Sequence, residues 1–259
     1  MIAWAHAVNS MRELEEALGS REVNAIEADV GWNSVLQLPV MRHAACSTVA
    51  LEADECLALD WLERVLAKPN HVKILKLDFK SPVPVAVVID WLVDKEYEFE
   101  LFLNADVFVG PGMDPNSSVA PVPAMAFVEQ CKRIPTATLS LGWTTSYGMW
   151  GDYAYSAQHV DEMLEFIRGF PASTKFTFPI RASVAWESWP ELKRLLQARE
   201  TNSLTLWTAA EGVPQGELDL VQSEHDRLPG NRPLFVDCFK GPRHARWNPV
   251  RLVYALQSL

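Results

Sequence analysis

The sequence predicts an α/β fold, a single (β/α)8 TIM barrel with parallel strands over residues 1–259. Short apolar runs alternate with amphipathic helical stretches along the whole chain, a pattern that sets strands side by side in parallel with helices as crossovers. Eight strand-like runs are present, and 259 residues is close to the roughly 250 usual for one such barrel. A doubly wound sheet is the main rival, but the glycine-rich first turn on which such sheets bind ligands is missing. No linker, low-complexity tract or internal repeat divides the chain, so one domain is expected.

Residues 2–6 read as the first strand, and 11–18 as a helix led by Asn9 and Ser10, residues whose side chains cap helix N-termini. The second strand, 24–30, places Ile26, Ala28 and Val30 on one face and turns Glu27 and Asp29 to the other. Residues 36–43 read as an extended excursion, because Pro39 interrupts them. Helical periodicity in Leu51, Leu59, Leu62, Val65 and Leu66 predicts a helix over 51–67. The third strand is 72–79, where Leu75, Leu77 and Phe79 alternate with Lys76 and Asp78. A helix over 83–95, a fourth strand over 99–105 and a Gly/Pro-rich loop over 110–123 come next; that loop follows the catalytic end of its strand and is either a cover for the active face or an ordinary connection. Helix 124–132 leads to strand 136–141, helix 156–168 to strand 175–181, and helix 189–198 to strand 203–207. Helix 215–226 precedes the eighth strand, 234–237, and residues 249–258 read as a closing helix.

A hydrophobic fraction of 49% and 10 Trp supply a large core, while the net charge of −10 argues against nucleic-acid partners, which call for a basic footprint. Cys46, Cys56, Cys131 and Cys238 show no Cys-x-x-Cys pair and no metal-ligand spacing, and scattered thiols favour reduced, cytoplasmic surroundings. No apolar run reaches the ~20 residues of a membrane helix, and no charged leader or h-region opens the sequence. A leader trimmed from the N-terminus would instead make the protein secreted.

Polar residues at the C-terminal ends of barrel strands form the active face. The last inward positions are His6, then Glu27 with Asp29, Asp78 with Lys80, Asn104, Arg181, Trp207 and Asp237. A single Asp at such a place is more often a turn or helix cap. His71, His159, His225 and His244 read as surface or packing residues, Lys80 as a strand flank, and Arg181 as a partner for Asp237. Glu27 and Asp29 together are harder to explain so, because two like charges on a core strand are costly without a cation. Asp78 on the neighbouring strand makes three carboxylates, and oxygen-only ligation suits Mg²⁺ or Ca²⁺ better than zinc.

The series His6, Glu27-Ala-Asp29, Val40-Met-Arg-His43 and Lys76-Leu-Asp78-Phe-Lys80 resembles the phospholipase-C-like phosphodiesterase superfamily, which includes glycerophosphodiester phosphodiesterases and the phospholipase D toxins of spider venom. More narrowly, Trp4-Ala-His-Ala-Val-Asn-Ser10, Glu27-Ala-Asp-Val30, Lys76-Leu-Asp-Phe-Lys80, Leu103-Asn-Ala-Asp106 and Leu139-Ser-Leu-Gly-Trp-Thr-Thr145 resemble the menorin family. The resemblance implies that Glu27, Asp29 and Asp78 ligate a divalent metal, that His6 and His43 are catalytic, and that Lys80 neutralises phosphoryl oxygens. Asn9, Arg42, Asn104, Arg181 and Trp207 are the candidate substrate contacts. Trp143 is the other candidate pocket wall, but the phase of strand 136–141 turns it outward. One departure stands out: glycerophosphodiesterases place an arginine after the first histidine, and here that residue is Ala7, leaving Asn9, Arg42 or Lys80 to hold phosphate.

The implied chemistry is cleavage of a small phosphodiester or a lipid headgroup. One histidine would deprotonate the attacking hydroxyl and the other protonate the leaving oxygen. The alternative is a catalytically weak or inactive barrel that binds or signals, for which a protein partner is expected. A glycoside hydrolase would also pair carboxylates, but would leave His6, His43 and Lys80 without a role.

Overall fold

The computed structural model describes residues 2–49, 51, 54–67, 71–113, 120–145, 154–208, 212–230 and 232–238. Its elements are β1 (Trp4–Ala5), α1 (Met11–Gly19), β2 (Ala25–Asn33), β3 (Leu38–Met41), β4 (Cys46–Ser47), α2 (Ala58–Leu66), β5 (Ile74–Phe79), α3 (Val83–Leu92) and β6 (Glu100–Val109). There follow α4 (Ala124–Cys131), β7 (Thr138–Thr144), α5 (Ala157–Arg168), β8 (Phe176–Arg181), α6 (Trp189–Gln197), β9 (Asn202–Trp207), α7 (Gln215–Asp226) and β10 (Leu234–Asp237). One sheet runs in the order β1-β2-β5-β6-β7-β8-β9-β10, with β3 and β4 attached to β2. Pairing is parallel at β1–β2, β2–β5, β5–β6, β8–β9 and β9–β10. The fold is therefore mixed α/β, with eight strands in chain order, the order of an α/β barrel.

All eight expected strands are present, but their limits move. β2 runs three residues past Val30 because β3 and β4 supply it with fresh partners: β3 pairs antiparallel from Val30↔Met41 to Asn33↔Leu38, and β4 pairs at Trp32↔Cys46 and Asn33↔Ser47. Glu27 and Asp29 thus lie mid-strand rather than at its end. Asn104 is also mid-strand, since β6 continues to Val109. The helix expected over 51–67 begins only at Ala58, because Leu57 is extended and bridges to Val40 of β3. α1 starts where expected: Ser10 caps it in a capping box with Glu13. The expected helix over 249–258, His244 and part of the loop 110–123 lie outside the described residues.

The chain forms two compact units. The first holds the described residues of Met1–Ala105 and Val122–Leu139, the second those of Asp106–Pro121 and Ser140–Asn248. In the first unit Ile26, Ala28, Val30, Leu75, Leu77 and Phe79 form one apolar sheet face, and α1, α2 and α3 contribute Leu14, Trp61, Leu62, Val88 and Ile89, all buried. Each such aliphatic side chain contributes about 1.5–3 kcal/mol by leaving water. In the second unit Phe176, Phe178, Ile180, Leu204 and Leu206 are buried, as are Leu192, Leu195 and Leu196 of α6 and Met163 and Ile167 of α5. Trp143 lies in phase with Leu139 and Leu141 and packs in this second core against Tyr155 at 5.2 Å and Phe178 at 6.4 Å. Among the described residues no helix is long and apolar enough to cross a membrane. Among the described residues no disulfide joins the cysteines.

Candidate functional site

Strand register builds the site. Across the parallel pairs, Glu27 lies beside Lys76 and Asp29 beside Asp78, which in turn lies beside Asn104. Residues in register share a face, so on the face opposite the apolar one a polar row crosses three strands at Asp29, Asp78 and Asn104, beside a second row of Glu27 and Lys76 that ends at Phe102. Side-chain oxygens of Glu27, Asp29 and Asp78 come within 4.8 Å of one another. Glu27 and Asp29 are buried, and Asp78 is partly exposed.

Each acid has its own supports. Glu27 accepts the Ala7 backbone N–H at 2.8 Å through Oε2, and the same oxygen lies 3.4 Å from His6 Nδ1. Ala7 reaches that position with φ at 54°, a left-handed conformation costing an alanine about 1 kcal/mol. Asn9 binds Asp29 twice, accepting its backbone N–H at 2.8 Å and donating to Oδ2 at 2.7 Å. His43 Nδ1 lies 3.3 Å from Asp29 Oδ2 on an exposed ring. Asn104 donates to Asp78 Oδ1 at 2.7 Å. The Lys80 ammonium joins two of the acids, 2.7 Å from Asp78 Oδ2 and 2.9 Å from Asp29 Oδ1.

These contacts separate the carboxylates electrostatically. Burial pushes the Glu27 carboxyl above the usual carboxylate range, aided by the negative charges of Asp29 and Asp78 and opposed by His6 and Lys76. Burial also acts on Asp29, but the Lys80 ammonium and the hydrogen bond from His43 outweigh it and hold that carboxyl well below its ordinary range. The hydrogen bond to Asp29 raises His43, favouring the imidazolium.

Gly31 lets the segment carrying Arg42 and His43 approach. A Cβ there would stand 2.4 Å from the Ala44 carbonyl oxygen and 2.7 Å from Arg42 Cγ. Arg42 N–H to the Asp29 carbonyl, at 2.9 Å, and Trp32 N–H to the Ala45 carbonyl, at 3.1 Å, fasten the segment to β2. Arg42 turns its guanidinium to Glu55 at 2.7 Å.

Of the residues expected at the site, His6, Asn9, Glu27, Asp29, His43, Asp78, Lys80 and Asn104 come together in the first unit. Arg42 neighbours them through its backbone, while its charge goes to Glu55. Arg181 and Trp207 end β8 and β9 in the second unit, paired in register. Two members escaped sequence reasoning. Lys76 is buried in register with Glu27, and its alternation with Leu75 and Leu77 was the available signal. The bond from Ala7 had none, because a backbone N–H leaves no mark in the sequence.

The arrangement defines an α/β protein of barrel strand order with an oxygen-rich acidic cluster braced by histidine, lysine and asparagine. The chain belongs to the menorin family: the Menorin N-terminal domain matches residues 1–225. It is similar to Protein FAM151B of Homo sapiens, with 35% identity over 251 residues covering 94% of this chain and 84% of that protein. No solved structure matches.

Proposed function

We propose that the chain is a metal-dependent phosphodiesterase-like protein built as a (β/α)8 TIM barrel of the phospholipase-C-like superfamily. One observation carries the reading: three carboxylates with oxygens inside 4.8 Å, two of them buried, with a histidine at either flank. The donor set fits a hard divalent cation, Mg²⁺ or Ca²⁺, held by Glu27, Asp29 and Asp78. Such a cation, when bound, supplies positive charge to the non-bridging oxygens of a phosphodiester.

The chain's own residues do the rest. Lys80 brings a resident positive charge to the same place, stabilising charge that grows on the phosphoryl group. His43, whose charged form Asp29 favours, suits protonation of the leaving oxygen, which leaves His6 to take the proton of the attacking hydroxyl. Glu27 orients His6 through Nδ1, and Asn9 fixes Asp29 from both its backbone and its carboxylate. Substrates are small phosphodiesters or lipid headgroups.

Thermal unfolding with and without millimolar Mg²⁺, Ca²⁺ or Mn²⁺ tests the cation. At about 100 times Kd, binding adds about 2.7 kcal/mol, or ~5 °C in Tm at ~2 °C per kcal/mol for a chain of this size. Glu27→Gln and Asp78→Asn abolish the rise, and a wild type without any rise refutes the metal site. Turnover of an aryl phosphodiester tests the chemistry, with equal rates for wild type and His6→Ala refuting the two-histidine scheme. Ala7 favours a second reading, a binding or signalling module: its methyl replaces a phosphate-binding arginine, and its N–H is committed to Glu27. Cation binding without turnover of any diester is the outcome that module predicts.

A further inference from the structure

Beyond Val30 the strand β2 leaves the parallel sheet. Its last pairing with β5 is Val30↔Phe79 and its last with β1 is Ala5↔Ile26. Gly31, Trp32 and Asn33 then pair only with β3 and β4, so the β2–β3 hairpin forms at the strand end beyond the carboxylates. Asn33 lies four positions beyond Asp29, roughly 13 Å along the strand.

The projecting end is apolar and exposed. Val35 is 58% exposed, Leu36 40% and Leu38 37%, and the adjoining Val49 and Leu51 are 55% and 38% exposed. Buried Asn33 makes these one ordered piece. Its Oδ1 accepts the N–H groups of Val35 and Leu36, both at 3.0 Å, and its Nδ2 donates to the Val49 carbonyl at 3.0 Å. Solvent-facing aliphatic side chains held by a dedicated network mark an interaction surface.

Charge selects the partner. Although 33 of the 259 residues are Asp or Glu, none lies between Val30 and Leu51. The charged groups in that stretch are Arg42 and His43, and Trp32 flanks the tip. An acid-free, solvent-facing aliphatic tip with an aromatic at its shoulder suits insertion below lipid headgroups. A protein partner would have to offer a matching pocket. We infer that the β2–β3 hairpin docks on a lipid surface, setting the carboxylate cluster at headgroup level. Docking does not require turnover, so it stands apart from the phosphodiester reading.

Flotation with phosphatidylcholine vesicles tests it, comparing the wild type with Val35→Asp/Leu36→Asp and with Glu27→Gln. Both aspartates lie on the exposed tip, so equal melting temperatures establish that the double variant folds. The wild type and Glu27→Gln float with vesicles, whereas the double variant partitions at least about tenfold less, the equivalent of one buried aliphatic side chain. A wild type that stays in solution, or a double variant that floats equally, overturns the inference. So does a wild type that dimerises through the tip without floating, which would assign the patch to a second copy.

Discussion

Replacing Lys80 by methionine removes the ammonium that joins Asp29 to Asp78 while keeping most of the stem. The two contacts, at 2.9 and 2.7 Å, each have a gross attraction of about 6 kcal/mol at an effective dielectric near 20. Most of that is offset by lost hydration, since the Lys80 side chain is only 20% exposed and the Asp29 side chain 4%. Breaking a well-buried pair costs about 3–5 kcal/mol, whereas a surface pair is worth about 0–1. Partial exposure of Lys80 places the expected loss near 3 kcal/mol, or about 6 °C in Tm. Urea unfolding followed by tryptophan fluorescence, in EDTA at neutral pH, reads the loss directly. Added Mg²⁺ then raises the Tm of Lys80→Met more than that of the wild type, because cation and ammonium answer the same negative charge. Lys80→Arg restores much of the stability. A methionine variant within about 0.5 kcal/mol of wild type would show that the carboxylates do not need this cation, and the electrostatic account of the site would fall.

Gly31→Ala sets a methyl against the Ala44 carbonyl oxygen, which must shift, at an expected cost of about 1–3 kcal/mol. As His43 leaves Asp29, its imidazole pKa falls back toward the ordinary value, which an NMR titration detects; an unchanged titration refutes the role given to Gly31. His225 is buried on α7, and burial lowers its pKa, so the folded state resists its protonation. Its stability effect is neutral above the unfolded value near 6.5 and turns unfavourable as pH falls from there toward the depressed folded value. The slope reaches about 1.4 kcal/mol per pH unit between the two. His225→Phe removes that share of the acid sensitivity, and identical pH profiles for variant and wild type would exclude it.

Glu27, Asp29 and Asp78 were legible because strand alternation is a strict period-two rule: an acid between apolar residues must face away from them. Parallel order put Asp78 on the neighbouring strand, but the register that sets it level with Asp29 belongs to the folded sheet. The functions of Asn9 and Ala7 were not legible. Asn9 precedes a helix and reads as a cap, but Ser10 caps it, which frees the amide of Asn9 for Asp29 twenty residues away. The hairpin beyond Val30 was only half visible, since Pro39 announced an extended segment without showing where it pairs. The late start of α2 depends on the tertiary bridge between Leu57 and Val40, and periodicity in Leu59 and Leu62 carries no information about it. Lys76 was visible but unweighted, because a lysine in a strand reads as solvent-facing until a buried partner is known.

The cluster's side chains all fall between His6 and Asn104, within the first unit. During synthesis at about 5–20 residues per second, they emerge roughly 8–30 s before residue 259 is added. Over that interval the nascent chain already carries its three acids, and Lys80 follows Asp78 by only two residues. The neutralising ammonium therefore arrives with the last of the charges it must balance. Vectorial order thus hands the ribosome-bound chain a resident cation together with the last of its three acids, before the second unit has been translated.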